Sequence, residues 1–404
     1  MSTKKIADNF WWAGTLDPGL RIFDIVFRTD CGTSYNSYLL KGGEKNVLFE
    51  ATKTPFAEEY IENLESLIPI EDIDMLVLSH TEPDHSGAVE KLLELNPGIV
   101  IYATLGGLTL IREIVNRDIN CVSVKDGDEI GIGGCTLRFI TAPNLHWPDT
   151  MFTYIPEKKI LVSCDAFGAH FSYENVVYDD ALDKDAFLRE ARVYFDGIMS
   201  PFSSDVLKAV EKIEGLDIDV IAGGHGPVLA QNPRFMVENY RKWASEPGRH
   251  EKKTVVIAYV SAYGYTKQIA GSIKDGIEGA GDIDVKLYDA VDTDLDTIMK
   301  EIDMCDGFLL GTPTIVGEAL PPIWNIAGSL NPRIHGGRFA GAFGSYGWSG
   351  EGVPHIMERL KQLKLRLVGE GLRARFKPSE KDLAEAAAYG KTFGTAVLTD
   401  TLPE

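Results

Sequence analysis

Ser79-His80-Thr81-Glu82-Pro83-Asp84-His85 is the stretch of this 404-residue sequence that decides the fold of its first part. It directly follows the apolar run Met75-Leu76-Val77-Leu78, which is typical of a buried strand. Ionisable groups at the mouth of a buried strand would cost too much desolvation free energy unless they were paired or bound to a metal. The stretch therefore predicts a metal site whose ligands include His80, Glu82, Asp84 and His85.

Other candidate ligands also follow apolar strand segments, and each lies in a turn rich in Gly or Pro. Loops that follow parallel strands gather at one edge of a sheet, so these side chains can converge over a rigid apolar base. They are His146, Asp165 and His225. Seven ligands are too many for one tetrahedral zinc ion and suit two metals that share a bridging carboxylate, for which Asp165 is our candidate.

The motif reads H-x-E-x-D-H, whereas a hydrolytic zinc site of the metallo-β-lactamase type reads H-x-H-x-D-H. Glu82 stands where that pattern has its second histidine, so the ligand set is harder and more anionic. Such a set favours iron, which must be held in two oxidation states, over zinc, which does no redox chemistry. Two neighbours that could orient the ligands are His170 and Trp147. Residues expected to serve packing or to lie at the surface are Cys164, His250, His335 and His355.

The stretch Trp243–Lys253 combines Pro, Gly and charged residues and is the best candidate for a linker. It predicts a first domain over residues 1–248 and a second domain over residues 254–404. In the second domain, strand candidates alternate with helical patterns, as in a doubly wound α/β domain with a parallel sheet. These strand candidates are Thr254–Val260, Val285–Tyr288, Gly307–Gly311, Phe339–Phe343 and Leu365–Val368.

The first domain interleaves its strand candidates with fewer helices, a pattern that fits an αββα sandwich of mixed sheets. Its strand candidates are Ile22–Thr29, Ser37–Leu40, Asn46–Phe49, Met75–Leu78, Ile99–Tyr102, Thr136–Ala142, Met151–Tyr154 and Lys159–Ser163. Its helix candidates are Phe56–Leu67, Ala88–Leu95 and Leu108–Asn116.

Three loops of the second domain predict a flavin site near the point where a 2-1-3-4-5 strand order reverses. The first loop is rich in hydroxyl groups and lies between a strand and a helix, where N–H groups and the helix N-terminus can bind phosphate. It contains neither G-x-G-x-x-G nor G-x-x-x-x-G-K, which disfavours a dinucleotide or nucleoside triphosphate and favours FMN. We expect Tyr346 and Trp348 to flank the flavin ring. The candidate FMN-binding residues are Ser261, Ala262, Tyr263, Gly264, Tyr265, Thr266, Pro313, Thr314, Ile315, Val316, Gly317, Ser345, Tyr346, Gly347, Trp348 and Gly350.

The formal net charge of −20 argues against nucleic acid and against an anionic membrane as partners. The five cysteines show no C-x-x-C spacing and are expected to be reduced thiols rather than disulfides or iron–sulfur ligands. No apolar run is long enough to span a bilayer, and the N-terminal residues lack the apolar segment of a signal peptide. A soluble, cytoplasmic protein is therefore expected.

Together these motifs resemble the flavodiiron proteins, also called A-type flavoproteins, over nearly the whole chain. The resemblance includes Cys31–Tyr38, Leu145–Asp149, Asp165–Gly168 and His225-Gly226, besides the H-x-E-x-D-H motif and the flavodoxin-like loops. It implies a metallo-β-lactamase-like domain followed by a flavodoxin-like domain. It also implies two irons bridged by Asp165, with the ligand sets His80, Glu82 and His146 for one iron and Asp84, His85 and His225 for the other. In some relatives the histidine that matches His85 is turned away from the metal.

The resemblance implies that dioxygen is reduced to water, or nitric oxide to nitrous oxide, with electrons passed through FMN to the two irons. It also implies a head-to-tail homodimer or a tetramer. The sequence ends at Glu404 without a C-x-x-C-bearing rubredoxin extension, as in the minimal two-domain class. Electrons are then expected from a rubredoxin-like protein or from a reduced deazaflavin coenzyme.

Two other functions are compatible with parts of the sequence. The first is a dinuclear zinc hydrolase of the metallo-β-lactamase superfamily with an accessory flavodoxin domain, against which Glu82 argues. The second is a non-enzymatic electron carrier whose first domain is only a scaffold, against which the complete ligand set argues. Metal content and the flavin spectrum would distinguish the zinc hydrolase from a gas reductase.

Overall fold

The computed structural model describes residues 3–24, 27–246 and 248–403. The chain separates into two compact units, Met1–Glu246 and Pro247–Glu404. The division falls within the stretch considered above as a linker, of which Pro247 lies outside the described residues. Each unit has its own sheets and its own apolar core, and each is described separately.

The first unit contains short strands and helices in a mixed order. Its strands are β1 (Lys4–Ala7), β2 (Phe10–Trp12), β3 (Thr15–Asp17), β4 (Ile22–Phe23), β5 (Phe27–Arg28), β6 (Thr33–Tyr35), β7 (Tyr38–Lys41), β8 (Asn46–Phe49), β9 (Met75–Val77), β10 (Val100–Ala103), β11 (Cys121–Ser123), β12 (Glu129–Gly131), β13 (Thr136–Thr141), β14 (Met151–Ile155), β15 (Ile160–Cys164) and β16 (Val220–Gly223). Its helices are α1 (Ala57–Glu65), α2 (Pro83–Ser86), α3 (Val89–Leu95), α4 (Leu105–Val115), α5 (Lys184–Tyr194), α6 (Ser203–Ile213) and α7 (Arg234–Ala244).

Two sheets form the centre of this unit. One has the strand order β1-β2-β7-β8-β9-β10-β11, in which the strands from β8 to β11 run parallel. The other has the order β12-β13-β14-β15-β16, in which the strands from β12 to β15 are antiparallel and β15 and β16 run parallel. The strands that lead into the candidate metal ligands are β9 in the first sheet and β13, β15 and β16 in the second.

Side chains along β9 point alternately to the two faces of the sheet, and this shows how the layers form. Met75 and Val77 point into the core between the two sheets, whereas Leu76 points to the opposite face and packs with residues of α1, α3 and α4. The outer face of the second sheet, which includes Phe152 and Leu161, packs against α5, α6 and α7. The layers therefore follow the order helices, sheet, sheet, helices, which confirms the predicted αββα sandwich.

The second unit alternates strands and helices. Its strands are β17 (Thr254–Tyr259), β18 (Asp284–Asp289), β19 (Gly307–Gly311), β20 (Phe339–Tyr346), β21 (Arg366–Leu367) and β22 (Leu372–Arg375). Its helices are α8 (Tyr265–Glu278), α9 (Leu295–Met304), α10 (Pro321–Ser329), α11 (Pro332–His335), α12 (Gly352–Gln362) and α13 (Glu380–Thr399). Across both units, the described helices include none with the length and the apolar character that a bilayer crossing requires.

The sheet of the second unit is parallel and has the strand order β18-β17-β19-β20-β21, which confirms the predicted order 2-1-3-4-5. Val256 and Ala258 of β17 face α9, α10 and α12, while Val255 and Ile257 face α8 and α13. Because helices cover both faces, the central strand reads as a continuous apolar run rather than as an alternating one. The unit is the doubly wound, flavodoxin-like sheet that the sequence predicts.

Two strand predictions differ from the structure. The segment Ile22–Thr29 forms the antiparallel pair β4 and β5 rather than one strand, and its Ile25 and Val26 lie outside the described residues. The predicted last strand, Leu365–Val368, shortens to β21, and β22 follows it and also pairs with β20. Gly369 and Gly371 lie between β21 and β22 with φ values of 69° and 89°, conformations that take the backbone out of an extended strand.

Candidate metal centre

The loops that follow β9, β13, β15 and β16 bring the predicted metal ligands together. His80 and Glu82 lie in the loop after β9, and the short helix α2 carries the next two ligands directly behind them. A buried position within a packed sandwich holds these side chains in fixed directions. Those that are at most 4% exposed are His80, Asp84, His85, Asp165 and His225.

One group of ligands consists of His80, Glu82, His146 and Asp165, whose ligand atoms all lie within 4.8 Å of one another. Nε2 of His146 lies 2.9 Å from Oε2 of Glu82 and 3.1 Å from Oδ2 of Asp165. Nε2 of His80 lies 3.0 Å from the same oxygen of Asp165 and 3.5 Å from Oε2 of Glu82. Nitrogen and oxygen atoms from separate loops thus surround one small volume.

A second group consists of Asp84, His85 and His225, again with ligand atoms within 4.8 Å of one another. Oδ2 of Asp84 lies 3.1 Å from Nε2 of His225 and 3.4 Å from Nε2 of His85. The imidazole of His85 is turned towards the carboxylates, with its ring centroid 4.9 Å from that of His225. The orientation of His85 therefore suits a ligand.

Asp165 lies between the two groups and presents one oxygen to each. Its Oδ2 faces His80 and His146, while its Oδ1 lies 2.9 Å from Nε2 of His85 and 3.5 Å from Nε2 of His225. This is the arrangement that a carboxylate bridging two metals needs. The geometry supports both the proposed bridge and the proposed division of the ligands.

Several buried atoms of the cluster form no well-aligned hydrogen bond with the described residues, although some of them lie within ion-pair distance of one another. They include both carboxylate oxygens of Asp84, Oδ1 of Asp165 and Nε2 of His85. Buried charges are normally paired or bound to metals, because an unpaired one carries a large desolvation cost. Metal ions at the two groups would satisfy these atoms, and carboxylate and imidazole ligands suit iron. The residues present therefore fit a two-metal centre.

The carboxylates favour the protonated forms of His146 and His85 in the metal-free cluster. Burial lowers the pKa of His146, but hydrogen bonds with Asp165 and Glu82 outweigh this and raise the pKa to about 9. Burial also opposes the charged form of His85, yet Asp84 and Asp165 raise its pKa to about 8. A metal that binds these nitrogens must therefore displace protons from them.

Neighbouring groups orient the ligand-bearing rings and loops. Nδ1 of His225 lies 2.7 Å from the carbonyl oxygen of Ser34, to which its N–H can donate. Nδ1 of His80 lies 3.2 Å from Sγ of Cys164. The backbone N–H of Ser79 donates to the buried carboxylate of Glu50 at 3.0 Å, which anchors the loop that carries the first ligands. Contacts of this kind set which ring nitrogen faces a metal.

Glu50 was not among the predicted site residues, and Cys164 was expected to serve packing rather than to bind a metal. Glu50 follows the apolar segment Val47–Phe49 just as the ligands follow theirs, and that signal could have drawn attention to it. Burial, together with the charge of Glu50, raises the pKa of the Cys164 thiol well above its ordinary value. The prediction that His335 lies at the surface is wrong, because its ring is buried and its Nε2 lies 2.8 Å from Oδ1 of Asp303.

The two residues predicted to orient ligands, His170 and Trp147, both lie beside the cluster. The His170 ring is 5.1 Å from that of His225, and its Nδ1 lies 3.0 Å from Oγ1 of Thr33. Burial lowers the pKa of His170 well below its ordinary value, so this ring is neutral. Trp147 stands edge-on to His80, with ring centroids 6.0 Å apart. Both rings wall the cluster, and an orienting role for them stays a prediction.

The loops predicted to bind FMN are tied together in the second unit. Oγ1 of Thr266 lies 3.0 Å from Oγ of Ser345, which joins the first loop to the fourth strand. The N–H of Thr314 donates to the carbonyl oxygen of Ser345 at 2.9 Å, and the N–H of Gly352 donates to Oγ1 of Thr314 at 3.2 Å. The loops after β17, β19 and β20 thus meet where the strand order reverses.

These loops leave large side chains exposed to solvent beside the start of a helix. Tyr263, Val316 and Trp348 are 80%, 88% and 83% exposed. Gly264, with a φ of 79°, turns the chain directly into α8, so the first N–H groups of this helix lie next to the loop. Exposed apolar surface beside a helix N-terminus fits a flat ring that carries a phosphate. The chain therefore fits FMN, and the contact of each predicted residue with it stays a prediction.

Comparisons with known proteins identify the family of each unit and of the whole chain. Residues 33–226 match the family model described as ODP family beta lactamase, and residues 257–390 match that of flavodoxin. The flavo-diiron protein FprA2 of Clostridium acetobutylicum is 39% identical over 98% of this chain and 100% of its own. A nitric oxide reductase of Moorella thermoacetica is 34% identical over 97% and 98% of the two chains. The structure of rubredoxin oxygen:oxidoreductase from Desulfovibrio gigas is 27% identical, with a TM-score of 0.73 over 98% and 99% of the two chains.

The lactamase model matches the first compact unit, and the flavodoxin model matches the second. This is the order that the sequence predicts. The relatives align with nearly the full length of the chain, so the similarity spans both units. The chain therefore belongs to the flavodiiron proteins, a family of oxidoreductases that contain FMN and a diiron centre.

Proposed function

We propose that this chain reduces dioxygen to water, nitric oxide to nitrous oxide, or both, at a diiron centre that receives electrons through FMN. The observation that carries this proposal is the buried ligand cluster, which Asp165 divides into two groups and in which Glu82 takes the place of a histidine. The names of two relatives, a nitric oxide reductase and a rubredoxin oxygen:oxidoreductase, support it.

The proposed centre uses the ligands of both groups. When bound, FMN supplies electrons in single or paired steps, and the two irons supply redox-active positions for a gas. The carboxylates of Glu82, Asp84 and Asp165 offset the charge of the metals in a buried environment. The proposed ligand sets are His80, Glu82 and His146 for one iron and Asp84, His85 and His225 for the other, with Asp165 as the bridge.

The walls of the cluster suit a small neutral substrate. Trp147 lies edge-on to His80, and Phe23 lies against His170 with ring centroids 4.2 Å apart. Aromatic walls exclude water, and a neutral diatomic gas loses little hydration free energy when it enters such a site. An ionic substrate would lose far more, which favours a gas reductase over a hydrolase of charged compounds.

We further propose that an external carrier reduces the FMN, either a rubredoxin-like protein or a reduced deazaflavin coenzyme. The name of the Desulfovibrio gigas relative includes rubredoxin, which supports the first of these. We also propose that the chain is cytoplasmic and works as a head-to-tail homodimer or a tetramer. Its net charge of −20 argues against nucleic acid and anionic membranes as partners.

The decisive experiment follows gas consumption by the purified, iron-loaded protein after anaerobic reduction. Matched electrodes record dioxygen and nitric oxide in parallel, and a peroxide assay runs beside the dioxygen trace. Faster loss of dioxygen without peroxide would define an oxygen reductase, and faster loss of nitric oxide would define a nitric oxide reductase. If a protein with full iron and FMN content consumed neither gas, the proposal would be wrong.

A further inference from the structure

One buried thiol touches the metal cluster without belonging to either proposed ligand set. Cys164 is fully buried at the end of β15, and its Sγ lies 3.2 Å from Nδ1 of His80. The other nitrogen of the same ring, Nε2, lies 3.0 Å from Asp165 and 3.5 Å from Glu82. The two nitrogens of His80 therefore face different groups, one the carboxylates and the other the sulfur.

A metal on Nε2 of His80 leaves the ring proton on Nδ1. His80 is fully buried, so this N–H must find an acceptor within the protein. In the described part of the chain, the atom recorded within hydrogen-bond distance of it is Sγ of Cys164. His225, in the other group, has the carbonyl oxygen of Ser34 in the equivalent position at 2.7 Å. The two ligand groups therefore differ in the atom that lies next to Nδ1 of a histidine ligand, which is a sulfur for His80 and a carbonyl oxygen for His225.

We propose that Cys164 is a positioning residue of the diiron centre, whose sulfur accepts the Nδ1–H of His80 and holds Nε2 on its iron. This inference rests on the proposed function. A thiol sulfur accepts hydrogen bonds more weakly than a carbonyl oxygen, so the imidazole of His80 gains less basicity from its partner than that of His225 does. The two irons are consequently unequal, although each has two histidines and one carboxylate of its own.

The alternative to a positioning role is that Cys164 binds a metal directly. Its Sγ lies within 4.8 Å of ligand atoms of His80, His85 and Asp165, so a metal could in principle reach it. The contact is made, however, with Nδ1 of His80, the nitrogen turned away from the carboxylates. A sulfur that accepts a hydrogen bond from Nδ1 can orient His80 while Nε2 binds the iron. A sulfur that bound the metal itself would compete with Nε2 for it.

The test compares C164A and C164S in the full-length protein, with C305A as the control because Cys305 is an equally buried thiol in the second unit. Competition with a chromogenic chelator under argon measures the affinity for Fe(II). Paramagnetic NMR of the Co(II)-loaded protein records the solvent-exchangeable histidine N–H resonances. We expect C164A to bind metal about 10–100-fold more weakly and to shift one of these resonances. C164S should recover most of the affinity but shift the same resonance, and C305A should match the wild type.

Each result has a distinct meaning. Unchanged affinity and unchanged N–H resonances in C164A would overturn the inference and leave the diiron centre standing. A thiolate-to-Co(II) charge-transfer band in the wild type that is lost in C164S would overturn it in favour of a ligand role. A wild type that bound no metal would overturn the proposed function itself. If C164A did not fold, the resonance of metal-loaded C164S would decide, with a shift supporting the inference and no shift overturning it.

Discussion

At the scale of single residues, Glu82 and Asp165 determine what the cluster can hold. Asp165 presents one oxygen to each ligand group, and Glu82 lies 2.9 Å from Nε2 of His146. A histidine at position 82 would remove one negative charge and recreate the H-x-H-x-D-H pattern of zinc hydrolases. One carboxylate thus separates a site suited to a redox-active metal from one suited to zinc.

The variant Glu82→His tests this choice of metal. We expect it to take up zinc in preference to iron when both are offered, and to lose gas consumption by about 100-fold or more, as the loss of an iron ligand implies. Mass spectrometry of the bound metals and the paired gas electrodes provide the measurements. Glu82→Asp, which keeps the carboxylate, is the control and should retain iron. Full activity in Glu82→His would show that the carboxylate at position 82 is not the reason why the site binds iron rather than zinc.

The pKa values of His146 and His85, about 9 and about 8, predict how the stability of the metal-free protein depends on pH. Both values lie above the unfolded value of about 6.5, so protonation stabilises the fold fully below about pH 6.5. This contribution is lost as the pH rises through the folded pKa values. We therefore expect chelator-treated protein to melt at a lower temperature at pH 9.5 than at pH 6.5.

Iron-loaded protein is the control for this pH dependence. Metal on the imidazole nitrogens replaces their protons, so the alkaline loss of stability should be smaller in the loaded protein than in the metal-free protein. Differential scanning calorimetry at both pH values measures the difference. An equal or larger loss in the loaded protein would show that other groups dominate the titration.

At the scale of elements, α8 and α13 pack closely through glycines. A Cβ atom on Gly276 would press against the carbonyl oxygen of Ala387, and one on Gly390 would press against that of Ile273. The two backbones therefore approach where larger side chains could not fit. Because α13 buries small residues instead of a wide apolar stripe, its sequence pattern did not predict a helix there.

Two substitutions in the same helix test this packing. Gly276→Ala should destabilise the second unit by about 1–3 kcal/mol, because the added methyl group must push α13 away. Gly271→Ala, where the added atom meets open space, should stabilise it by about 0.5–1 kcal/mol. Denaturant unfolding of the full-length protein, followed by flavin fluorescence, measures both changes. Equal effects of the two substitutions would contradict a close helix contact.

Elements buried on both faces were the easiest to predict from sequence. Strands such as β17 and β19 are continuous apolar runs that end at Gly or at hydroxyl-rich loops. The loops predicted to bind FMN follow directly from them. Helices α5, α6 and α7 were not among the predicted helices, although their buried apolar residues recur at the spacing of an amphipathic helix. The roles of Cys164 and Glu50 depend on which side chain lies opposite each of them in space, which the order of residues along the chain does not state.

At the scale of the whole molecule, the proposed centre joins the two sheets of the first unit. The ligands from His80 to His85 follow β9 in one sheet, whereas His146, Asp165 and His225 follow strands of the other. Bound metals would thus link two layers that also share an apolar core. Any ligand that binds only the folded chain stabilises it, by about 2.7 kcal/mol when its concentration is 100 times Kd.

Removal of the metals by a chelator tests the independence of the two sites. We expect gas consumption to cease and the melting temperature of the first unit to fall, while FMN remains bound because its loops belong to the second unit. Metal analysis, calorimetry and flavin absorbance after desalting measure these effects. Added Fe(II) should restore both stability and activity, and Zn(II) should restore stability alone. Loss of FMN together with the metals would contradict this independence.

A link between two sheets that depends on metal ties the lifetime of the protein to the supply of iron. Proteases degrade a chain in proportion to the fraction that is open, and the chain without metals opens more often. A cell short of iron would therefore clear the empty protein and keep the loaded copies. Abundance would then follow iron availability through turnover alone, without a change in synthesis.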